Sequence, residues 1–460
     1  MDGEIFRTLD LTQGKTQRLF LSSSLVRLYT FAKKNFTRRG KGAKKKTGNA
    51  STEIALILRH HFIPHNIFVI WQRRKSQAPN RRLRMDQLFS HVSWREVVFA
   101  GFCLITLIQL FYYLFFFQRL AFFKQEPRTK SQEHPVSIII CARDEAGNLA
   151  ANLPGSLVQT YSTTHEVIVV NHNSQDDTRY LLDEFKKTFK DLHIVNLEYE
   201  AIGIPGKKYP LSMGIKEAKY EIVLLTDADC VPASEFWLQK MQDGYNNGIQ
   251  VILGYSPYLK KPGLLNKIIR FETFHSALQY LSYALAGIPY MGVGRNLSYK
   301  KELFFKNKGF SNINRLPGGD DDLFINMIGN KNNTAIVIDP DAFTFSEPKK
   351  TFSEWIKQKT RHYSSSKYYK AGHKWLLGLY STSHFLFYPL FFLSLFFNWQ
   401  LSLIIFGVRF LVQGLIYYKT MRKLNEKDLF VWWWLLDLWM LLYYLIFVQA
   451  LWKKPRQDWN

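Results

Sequence analysis

Two carboxylates separated by one residue follow a short apolar segment near the middle of the chain. The segment Glu221–Thr226 (EIVLLT) predicts a buried strand, and Asp227 and Asp229 come directly after it. Carboxylate oxygens that converge at a strand end suit a hard divalent cation, Mg²⁺ or Mn²⁺, which can also bind diphosphate oxygens. A lone Asp-x-Asp pair also occurs in solvated turns, so the elements around it decide between the two interpretations.

A second acidic cluster lies about ninety residues further on, at Gly318–Asp322 (GGDDD). Three adjacent carboxylates repel one another, so a fold seldom places them together without a cation or a proton-transfer task. One of them would be a general base if a substrate hydroxyl must lose its proton. The structural alternative is a helix N-terminus, where the helix dipole favours Asp. A helix beginning at Leu323 would account for Asp320 and Asp322 in this way.

The third cluster is Gln358–His362 (QKTRH), in a basic and aromatic segment just before an apolar run. The guanidinium of Arg361 could meet an anionic leaving group. Alternatively, the segment forms a basic amphipathic helix that lies on anionic lipid. The residues alone leave both interpretations open.

The elements that must position these clusters alternate between strands and helices, which predicts an α/β domain with a mostly parallel sheet. Ligands bind at the carboxyl ends of the strands in such sheets. The predicted strands are Val136–Cys141, Glu166–Asn171, His193–Leu197 and Glu221–Thr226, and the predicted helices are Asn148–Tyr161, Asp177–Phe189 and Pro210–Ala218.

Four apolar runs predict membrane-spanning helices around this domain. Val98–Phe117 has 20 residues without a charge, enough to cross about 30 Å of hydrocarbon. The other three runs are Trp375–Phe397, Leu401–Tyr418 and Leu429–Trp452. Arg409 and Asp437 lie inside two of these runs, where they are costly unless they pair, for example with each other, or snorkel.

The net charge of +24 first suggests a nucleic-acid-binding protein. However, residues 1–84 alone hold 19 Lys+Arg and 4 Asp+Glu, and their composition gives little reason to expect a fold. A hydrophobic content of 47% excludes a disordered basic protein. The excess of positive charge thus lies mostly in a segment without an expected fold, so we expect no nucleic-acid partner. The cysteines Cys103, Cys141 and Cys230 form no disulfide framework, so we expect three reduced thiols.

The order of the clusters resembles that of the membrane-bound family-2 glycosyltransferases of bacterial polysaccharide and glycolipid synthesis. The resemblance spans about 136–365 and continues into the C-terminal apolar runs. It rests on five segments in this order: VSIIICARDEAGNL, VIVVNHNSQDDT, GKKYPLSMGIKEAKYEIVLLTDADC, GGDDDL and QKTRH. It implies a GT-A fold flanked by transmembrane helices, a nucleotide-sugar donor and a Mg²⁺ or Mn²⁺ cofactor.

The resemblance also implies a role for individual residues. Asp227 and Asp229 match the metal-binding pair, and Asp321 matches the catalytic base, with Asp320 beside it. Two further catalytic positions, near the donor diphosphate and the acceptor, match Gln358 and Arg361. The donor-binding positions match Ala142, Arg143, Glu145, His172, Lys207 and Asp227.

Two positions depart from the family pattern. Asn171-His172 stands where the family usually has an acidic pair, and its second acid commonly contacts the base of the nucleotide. His172 therefore leaves the donor's base open. His362 stands where the family's Gln-x-x-Arg-Trp motif has Trp, which argues against a channel for a processively made polymer.

These roles imply an inverting transfer, in which an acceptor hydroxyl displaces the diphosphate in a single in-line step. The aromatic segment Phe271–Met291 and the following Gly292–Asn296 are expected to form an interfacial helix and the acceptor side of the site. The acceptor is expected to be a polysaccharide or lipid-linked. The alternatives are a simple lipid (ceramide, diacylglycerol or polyprenyl phosphate), or a non-catalytic membrane scaffold that binds nucleotide.

We expect four segments: a basic segment 1–84, a membrane anchor 85–130, a catalytic domain 131–374 and C-terminal membrane helices 375–460. The basic loop Arg119–Lys130 predicts a cytoplasmic catalytic domain in a multi-pass protein of the inner (plasma) membrane. The first helix would then begin outside, which would require residues 1–84 to be translocated. We therefore expect the working protein to begin at Met85.

Overall fold

The computed structural model describes residues 93–125, 133–246 and 248–449. The chain divides into two units, residues 1–91 and residues 92–460. The predicted basic segment 1–84, the predicted start at Met85 and the C-terminal tail 450–460 lie outside the described residues, as does the part of the predicted loop Arg119–Lys130 from residue 126 onward.

A seven-stranded sheet forms the centre of the α/β domain, in the order β3-β2-β1-β4-β7-β6-β8. The strands of the structure are β1 Val136–Ala142, β2 His165–His172, β3 Leu192–Leu197, β4 Ile222–Asp227, β5 Cys230–Pro232, β6 Val251–Leu253, β7 Leu297–Lys300, β8 Thr334–Ile336 and β9 Thr344–Ser346. β7 runs antiparallel to both of its neighbours, whereas the other pairs in this sheet are parallel. This confirms the predicted α/β class and mostly parallel sheet.

The central strands are continuous apolar runs because helices cover both faces of the sheet. Successive side chains of a strand point to opposite faces, and Ile138 and Ile140 of β1 accordingly pack in one hydrophobic cluster while Ile139 packs in another. The helices are α1 Trp94–Phe111, α2 Gln118–Ala121, α3 Ala146–Leu157, α4 Thr178–Thr188, α5 Lys208–Glu217, α6 Trp237–Gln242, α7 Leu264–Leu285, α8 Lys301–Lys306, α9 Asp322–Ile328, α10 Phe352–Ser366, α11 Ala371–Lys423 and α12 Trp433–Val448.

Within the described residues, three helical stretches are long and apolar enough to cross a membrane: Trp94–Ala121, Ala371–Lys423 and Lys427–Val448. The first joins α1 to α2 through a π-helix. The second is α11, whose 53 residues would measure about 80 Å as one straight helix, far more than the hydrocarbon of a bilayer.

The helix α11 instead folds back on itself at Asn398. This residue has non-helical backbone angles, φ −149° and ψ 64°. The rings of Phe391 and Phe406, which flank the bend, lie only 4.4 Å apart between centroids. The predicted runs Trp375–Phe397 and Leu401–Tyr418 are therefore the two arms of a helical hairpin.

A buried ion pair lies inside the helical bundle. Arg409 of α11 lies 3.4 Å from a carboxylate oxygen of Asp437 on α12. The same carboxylate accepts hydrogen bonds from Tyr388 at 2.5 Å and Gln413 at 2.6 Å, and the guanidinium lies 4.0 Å from the centre of the Phe387 ring. This confirms the suggested pairing and explains how two charges are accommodated between apolar helices.

The helix α7 connects the α/β domain to the helical bundle. Arg270 on α7 pairs with Glu426 and Asp428, which lie between α11 and α12. Further along α7, Glu272 accepts a hydrogen bond of 3.0 Å from Tyr443 of α12. The predicted interfacial helix therefore lies where it was expected, although it begins earlier and ends at Leu285.

Candidate active site

The polar ends of three neighbouring strands define one edge of the sheet. β1 ends at Ala142, β2 at His172 and β4 at Asp227, and Cys141 is paired in register with Asp227. Because these strands are parallel, their carboxyl ends lie together. The predicted donor-binding and metal-binding residues at these strand ends therefore lie along one edge of the sheet.

Asp227 and Asp229 form a compact acidic pair with Cys230. One ligand atom from each residue lies within 4.8 Å of the other two. Burial, together with the nearby acids, raises the pKa of Cys230 well above its ordinary value, so the sulfur stays a thiol that donates to Asp229 at 3.3 Å. The available ligands are thus two carboxylates, the donor type that fits Mg²⁺ or Mn²⁺.

Lys207 links this pair to the second acidic cluster. Its ammonium lies 2.8 Å from an Asp227 oxygen and 3.4 Å from an Asp320 oxygen. Burial lowers the pKa of Lys207, but the charges of Asp227, Asp320 and Asp321 outweigh it and raise the pKa well above its ordinary value. The side chain is therefore a fixed cation between the two acidic clusters.

The loop before Lys207 packs against the loop that carries the acidic run. Gly206 has a φ of 76°, and a Cβ there would lie 2.2 Å from the carbonyl oxygen of Pro317. The buried ammonium of Lys208 donates to the Leu316 and Gly318 carbonyls. These two contacts hold the two loops together, and glycine is required at position 206.

The three adjacent acids have different partners. Asp320 is buried and contacts Lys207. Asp321 caps α9 by accepting the N–H of Asp322 at 2.7 Å, and its other oxygen accepts the N–H of Gly294 at 2.9 Å. The helix-terminus interpretation therefore applies to Asp321 rather than to Asp320, since α9 begins after Asp321.

The carboxylate of Asp322 is held by hydrogen bonds within the protein. It accepts hydrogen bonds from Ser365 and, at 2.8 Å, from Tyr369, both of which lie at or just after the end of α10. It also accepts the N–H of Leu323 at 2.7 Å. Asp322 thus joins the start of α9 to α10.

The carboxyl group of Asp321 has an unusually high proton affinity. Burial, followed by the charges of Asp320 and Asp322, raises the pKa of Asp321 to about 7, against the opposing effects of Lys207 and the Gly294 N–H. A carboxyl with a pKa near neutrality can accept a proton and release it again at physiological pH.

The third cluster is carried by α10. A capping box between Thr351 and Glu354 starts this helix. Gln358, Arg361 and His362 line the same cavity as the acids. Among the described residues no donor reaches the buried Gln358 Oε1, so this oxygen can accept a hydrogen bond from a bound molecule.

Arg295, which the sequence placed only within the acceptor-side segment Gly292–Asn296, lies beside the acidic pair. Arg295 donates to the Ser256 carbonyl at 2.9 Å and stacks 4.4 Å above the Tyr258 ring. Its buried Nη1 has no hydrogen-bond partner among the described residues, and the side chain lines the cavity with Asp227 and Asp229. The only signal in the sequence is a basic residue after two closely spaced glycines.

The predicted donor residues divide into two groups. Glu145, Lys207 and Asp227 line the cavity, whereas Ala142, Arg143 and His172 do not. Arg143 forms a 2.7 Å ion pair with Glu200. The pKa of His172 is lowered by burial and by Arg143, which favours a neutral imidazole at the strand edge beside the cavity.

A single cavity of about 1190 Å³ connects these parts. It contains the acidic clusters, Lys207, Arg295 and the polar face of α10. From there it follows α7 and continues between α11 and α12. The arrangement can hold an anionic, metal-binding group next to a proton acceptor, with space for a second molecule on the side of the helical bundle.

Two family comparisons cover most of the described chain. Residues 137–303 match Glycosyl transferase family 2, and residues 222–448 match Glycosyl transferase family group 2. Together the matches run from β1 to the end of α12. They agree with the GT-A fold expected from the sequence.

Curated relatives match parts of the chain. A poly-β-1,6-N-acetyl-D-glucosamine synthase of Staphylococcus epidermidis is 30% identical over 35% of this chain and 38% of the relative. The probable glycosyltransferase YdaM of Bacillus subtilis is 24% identical over 57% of this chain and 64% of the relative. The chain thus spans about two fifths of the length of the staphylococcal relative it matches.

Solved structures match with low similarity. The mannosyltransferase PcManGT of Pyrobaculum calidifontis, in complex with GDP-Man and Mn²⁺, is 16% identical over 75% of this chain and 99% of that chain, with a TM-score of 0.48. The fragment 1–349 of TarS from S. aureus, in complex with UDP-GlcNAc, is 17% identical over 64% of this chain and 89% of that chain, with a TM-score of 0.37.

Proposed function

Because the chain carries a family-2 glycosyltransferase domain joined to helices apolar enough to cross a membrane, we propose that it is a membrane-embedded inverting glycosyltransferase. It moves a sugar from a nucleotide-sugar donor to a glycan or lipid-linked acceptor. The observation that carries this proposal is the single cavity that joins the DxD pair, Asp321 and α10 and then continues between α11 and α12.

The donor diphosphate binds at the acidic pair and its basic neighbours. Asp227 and Asp229 would hold Mg²⁺ or Mn²⁺, and the cation supplies positive charge that offsets the charge of the departing diphosphate. Arg295, whose Nη1 has no partner among the described residues, donates to a phosphate oxygen from the side of the cavity. Lys207 stays protonated and balances the charge of the surrounding acids.

Asp321 is the general base. The acceptor hydroxyl loses its proton to this carboxylate as its oxygen bonds to the anomeric carbon, and the bond from that carbon to the diphosphate breaks. The N–H of Gly294 and the N–H of Asp322 fix the orientation of the carboxylate. One displacement from the face opposite the leaving group inverts the anomeric centre.

The residues of α10 position the acceptor and the leaving group. Gln358 accepts a hydrogen bond from a substrate hydroxyl, and Arg361 contributes positive charge near the diphosphate. The staphylococcal relative's name, a polysaccharide synthase, supports a glycan as the product. In this arrangement substrate positioning accounts for much of the rate.

The proposed location is the inner (plasma) membrane, with the catalytic domain in the cytoplasm. The ends of the first and second spanning stretches meet beside this domain, where Lys423 donates to the Phe123 carbonyl. Lys419, Arg422 and Lys423 cluster at that end of α11. The two crossings of the hairpin agree with the positive-inside rule if this end is cytoplasmic.

The test is turnover of a panel of nucleotide sugars by the full chain in lipid vesicles, with and without Mn²⁺. We expect Asp229→Ala and Asp321→Asn to abolish transfer, whereas Asp183→Asn, a change of an exposed acid on α4, has no effect. Asp321→Asn should fold, because burial opposes the ionisation of this carboxyl. Wild-type turnover by Asp321→Asn would contradict the base assignment, and no turnover of any donor by the wild type would contradict the function.

A further inference from the structure

The end of the cavity that lies between α11 and α12 is a separate feature, which we call the slot. It is lined by Gly378, Thr382 and Phe385 of α11 and by Leu445, Phe447 and Val448 of α12. The small residues of α11 leave the space open. A Cβ at Gly378 would meet no atom within 4 Å.

The slot borders the apolar surface of the bundle. Leu445 and Val448 line it but are also 51% and 40% exposed, and Gly378 and Thr382 are exposed as well. Exposed apolar side chains on a helix that crosses a bilayer face hydrocarbon. A molecule in the bilayer can therefore reach the slot without passing through water.

Two tyrosine hydroxyls beside the slot are already paired with the protein. The hydroxyl of Tyr443 donates to Glu272 at 3.0 Å, and the hydroxyl of Tyr444 lies 3.1 Å from His384 Nδ1. A glycan in the slot would leave many of its own hydroxyls without partners, which is costly away from water. A hydrocarbon chain has no such requirement, so it fits these walls better.

Two lysines lie at the polar end of the slot. Lys367 and Lys374 flank the start of α11 and line the cavity, and in the part of the chain that the structure describes neither pairs with a carboxylate. Lys374 Nζ donates to the Lys367 carbonyl at 3.3 Å. Between them in the chain, Tyr369 donates to Asp322, which ties this segment to the acidic run that lines the same cavity.

From these observations we propose that the slot takes the prenyl chain of an acceptor in which a sugar is linked to the lipid through a diphosphate. Lys367 and Lys374 bind the diphosphate, and a hydroxyl of the attached sugar reaches Asp321. A sugar hydroxyl must lose its proton when it attacks, so it needs a general base such as Asp321. A bare lipid phosphate is already ionised and has little need of a base. This inference rests on the proposed glycosyltransferase function and specifies its acceptor.

The first test closes the slot. Gly378→Phe places a ring in the open space, and Gly407→Phe is the matched control, because Gly407 on α11 also has no atom within 4 Å of a Cβ and does not line the cavity. The acceptors are a prenyl-diphosphate-linked sugar in phosphatidylethanolamine–phosphatidylglycerol vesicles and the methyl glycoside of the same sugar in solution.

We expect Gly378→Phe to lower transfer to the lipid-linked sugar by about tenfold or more while donor hydrolysis and transfer to the methyl glycoside stay within about twofold of the wild type. Gly407→Phe should match the wild type in all three assays. Equal loss with both acceptors would identify the slot as a glycan path and overturn the proposal, as would no loss with either. Donor hydrolysis by a wild type that ignores the lipid-linked sugar would overturn the proposal but leave the proposed function intact.

The second test addresses the lysines. We expect Lys367→Gln combined with Lys374→Gln to raise KM for the prenyl-diphosphate-linked sugar by about tenfold or more, since one lost charged hydrogen bond alone has about a tenfold effect, with little change in kcat. KM for a diacylglycerol-linked sugar should not change. The control is Lys370→Gln, since Lys370 donates to the Met327 carbonyl and does not line the cavity. An equal rise in KM for both lipids would contradict diphosphate binding by this pair.

Discussion

The charged residues of the site lie in a row, in the order Asp229, Asp227, Lys207, Asp320 and Asp321. Lys207 lies within 3.4 Å of both acidic clusters, so it stabilises carboxylates that would otherwise repel one another. Asp321, the last acid in this row, keeps a pKa of about 7. Lys207 thus lowers the pKa of Asp227 against the effect of burial, while Asp321 remains a proton acceptor.

This arrangement predicts the pH dependence of transfer. Below a pH of about 7 Asp321 is protonated and cannot act as a base, so kcat/KM should rise with pH and level off above that value. Asp320→Asn removes a negative charge that raises the pKa of Asp321, so the rising part of the profile should move to lower pH. The measurement is kcat/KM against pH at one fixed Mn²⁺ concentration.

The control for that profile is Asp183→Asn on α4, which should leave its position unchanged. An Asp320→Asn profile that rises at the same pH as the wild type would show that another group controls the titration. A lower plateau is expected with Asp320→Asn as well, since Lys207 loses one of its two partners. The position of the rise, rather than its height, is the deciding quantity.

At the residue scale the sequence predicted the acids but not all of their neighbours. Asp227 and Asp321 could be identified because each stands in a local pattern, a strand end and an acidic run. Arg295 has no such pattern, and its position depends on contacts with Ser256 and Tyr258, about forty residues away in the chain. A role that arises from long-range packing is not visible in local spacing.

At the scale of elements, α10 is held against the acidic run at one end and against the bundle along its length. Lys359 of α10 pairs with Glu272 of α7, and Trp355 is fully buried. At the end of α10, Ser365 and Tyr369 both donate to Asp322. The helix therefore presents Gln358 and Arg361 to the cavity from a fixed position.

Asp322→Ala should loosen this attachment. It leaves the buried hydroxyls of Ser365 and Tyr369 without their acceptor, which costs about 1–3 kcal/mol of folding free energy. We expect a lower thermal midpoint in detergent and weaker transfer. Tyr369→Phe removes only one of these hydrogen bonds and leaves the Asp322 carboxylate bonded to Ser365 and to the Leu323 N–H. It should therefore have a smaller effect in the same direction.

The outcome that would contradict this role is a melting temperature equal to that of the wild type together with complete loss of transfer. Asp322 would then act in the reaction rather than in the attachment of α10. The exposed Asp183 is again the control, because its replacement by Asn removes a charge from α4 without removing a buried contact.

Element boundaries were predicted to within a few residues where the pattern was strong. β2 was predicted at Glu166–Asn171 and runs over His165–His172, because a buried parallel strand is a continuous apolar segment. The bend at Asn398 was indicated only by the gap between two apolar runs, and the helix continues on both sides of it. The slot between α11 and α12 depends on packing between segments about sixty residues apart, which no local pattern contains.

At the scale of the molecule, the α/β domain and the bundle share one cavity and one set of anchoring charges. Arg270 of α7 pairs with Glu426 and Asp428 at the turn between α11 and α12. Positive charge gathers at the same end of the bundle, where Lys419 lies 4.6 Å from the centre of the Phe122 ring. The end of α11 beside the domain and the bend at Asn398 must therefore lie on opposite sides of the membrane if both arms cross it.

This geometry gives a direct test of orientation with single cysteines, in a background in which Cys103, Cys141 and Cys230 are replaced by alanine. Gln400 is exposed next to the bend, and Arg422 is exposed at the other end of the same arm. We expect Gln400→Cys to react with a membrane-impermeant maleimide in intact cells, and Arg422→Cys to react only after the membrane is permeabilised, because the proposed orientation places the basic end of α11 in the cytoplasm. The opposite labelling pattern would place the catalytic domain outside, away from a cytoplasmic nucleotide-sugar pool, and equal labelling of both sites in intact cells would mean that this arm does not cross the membrane.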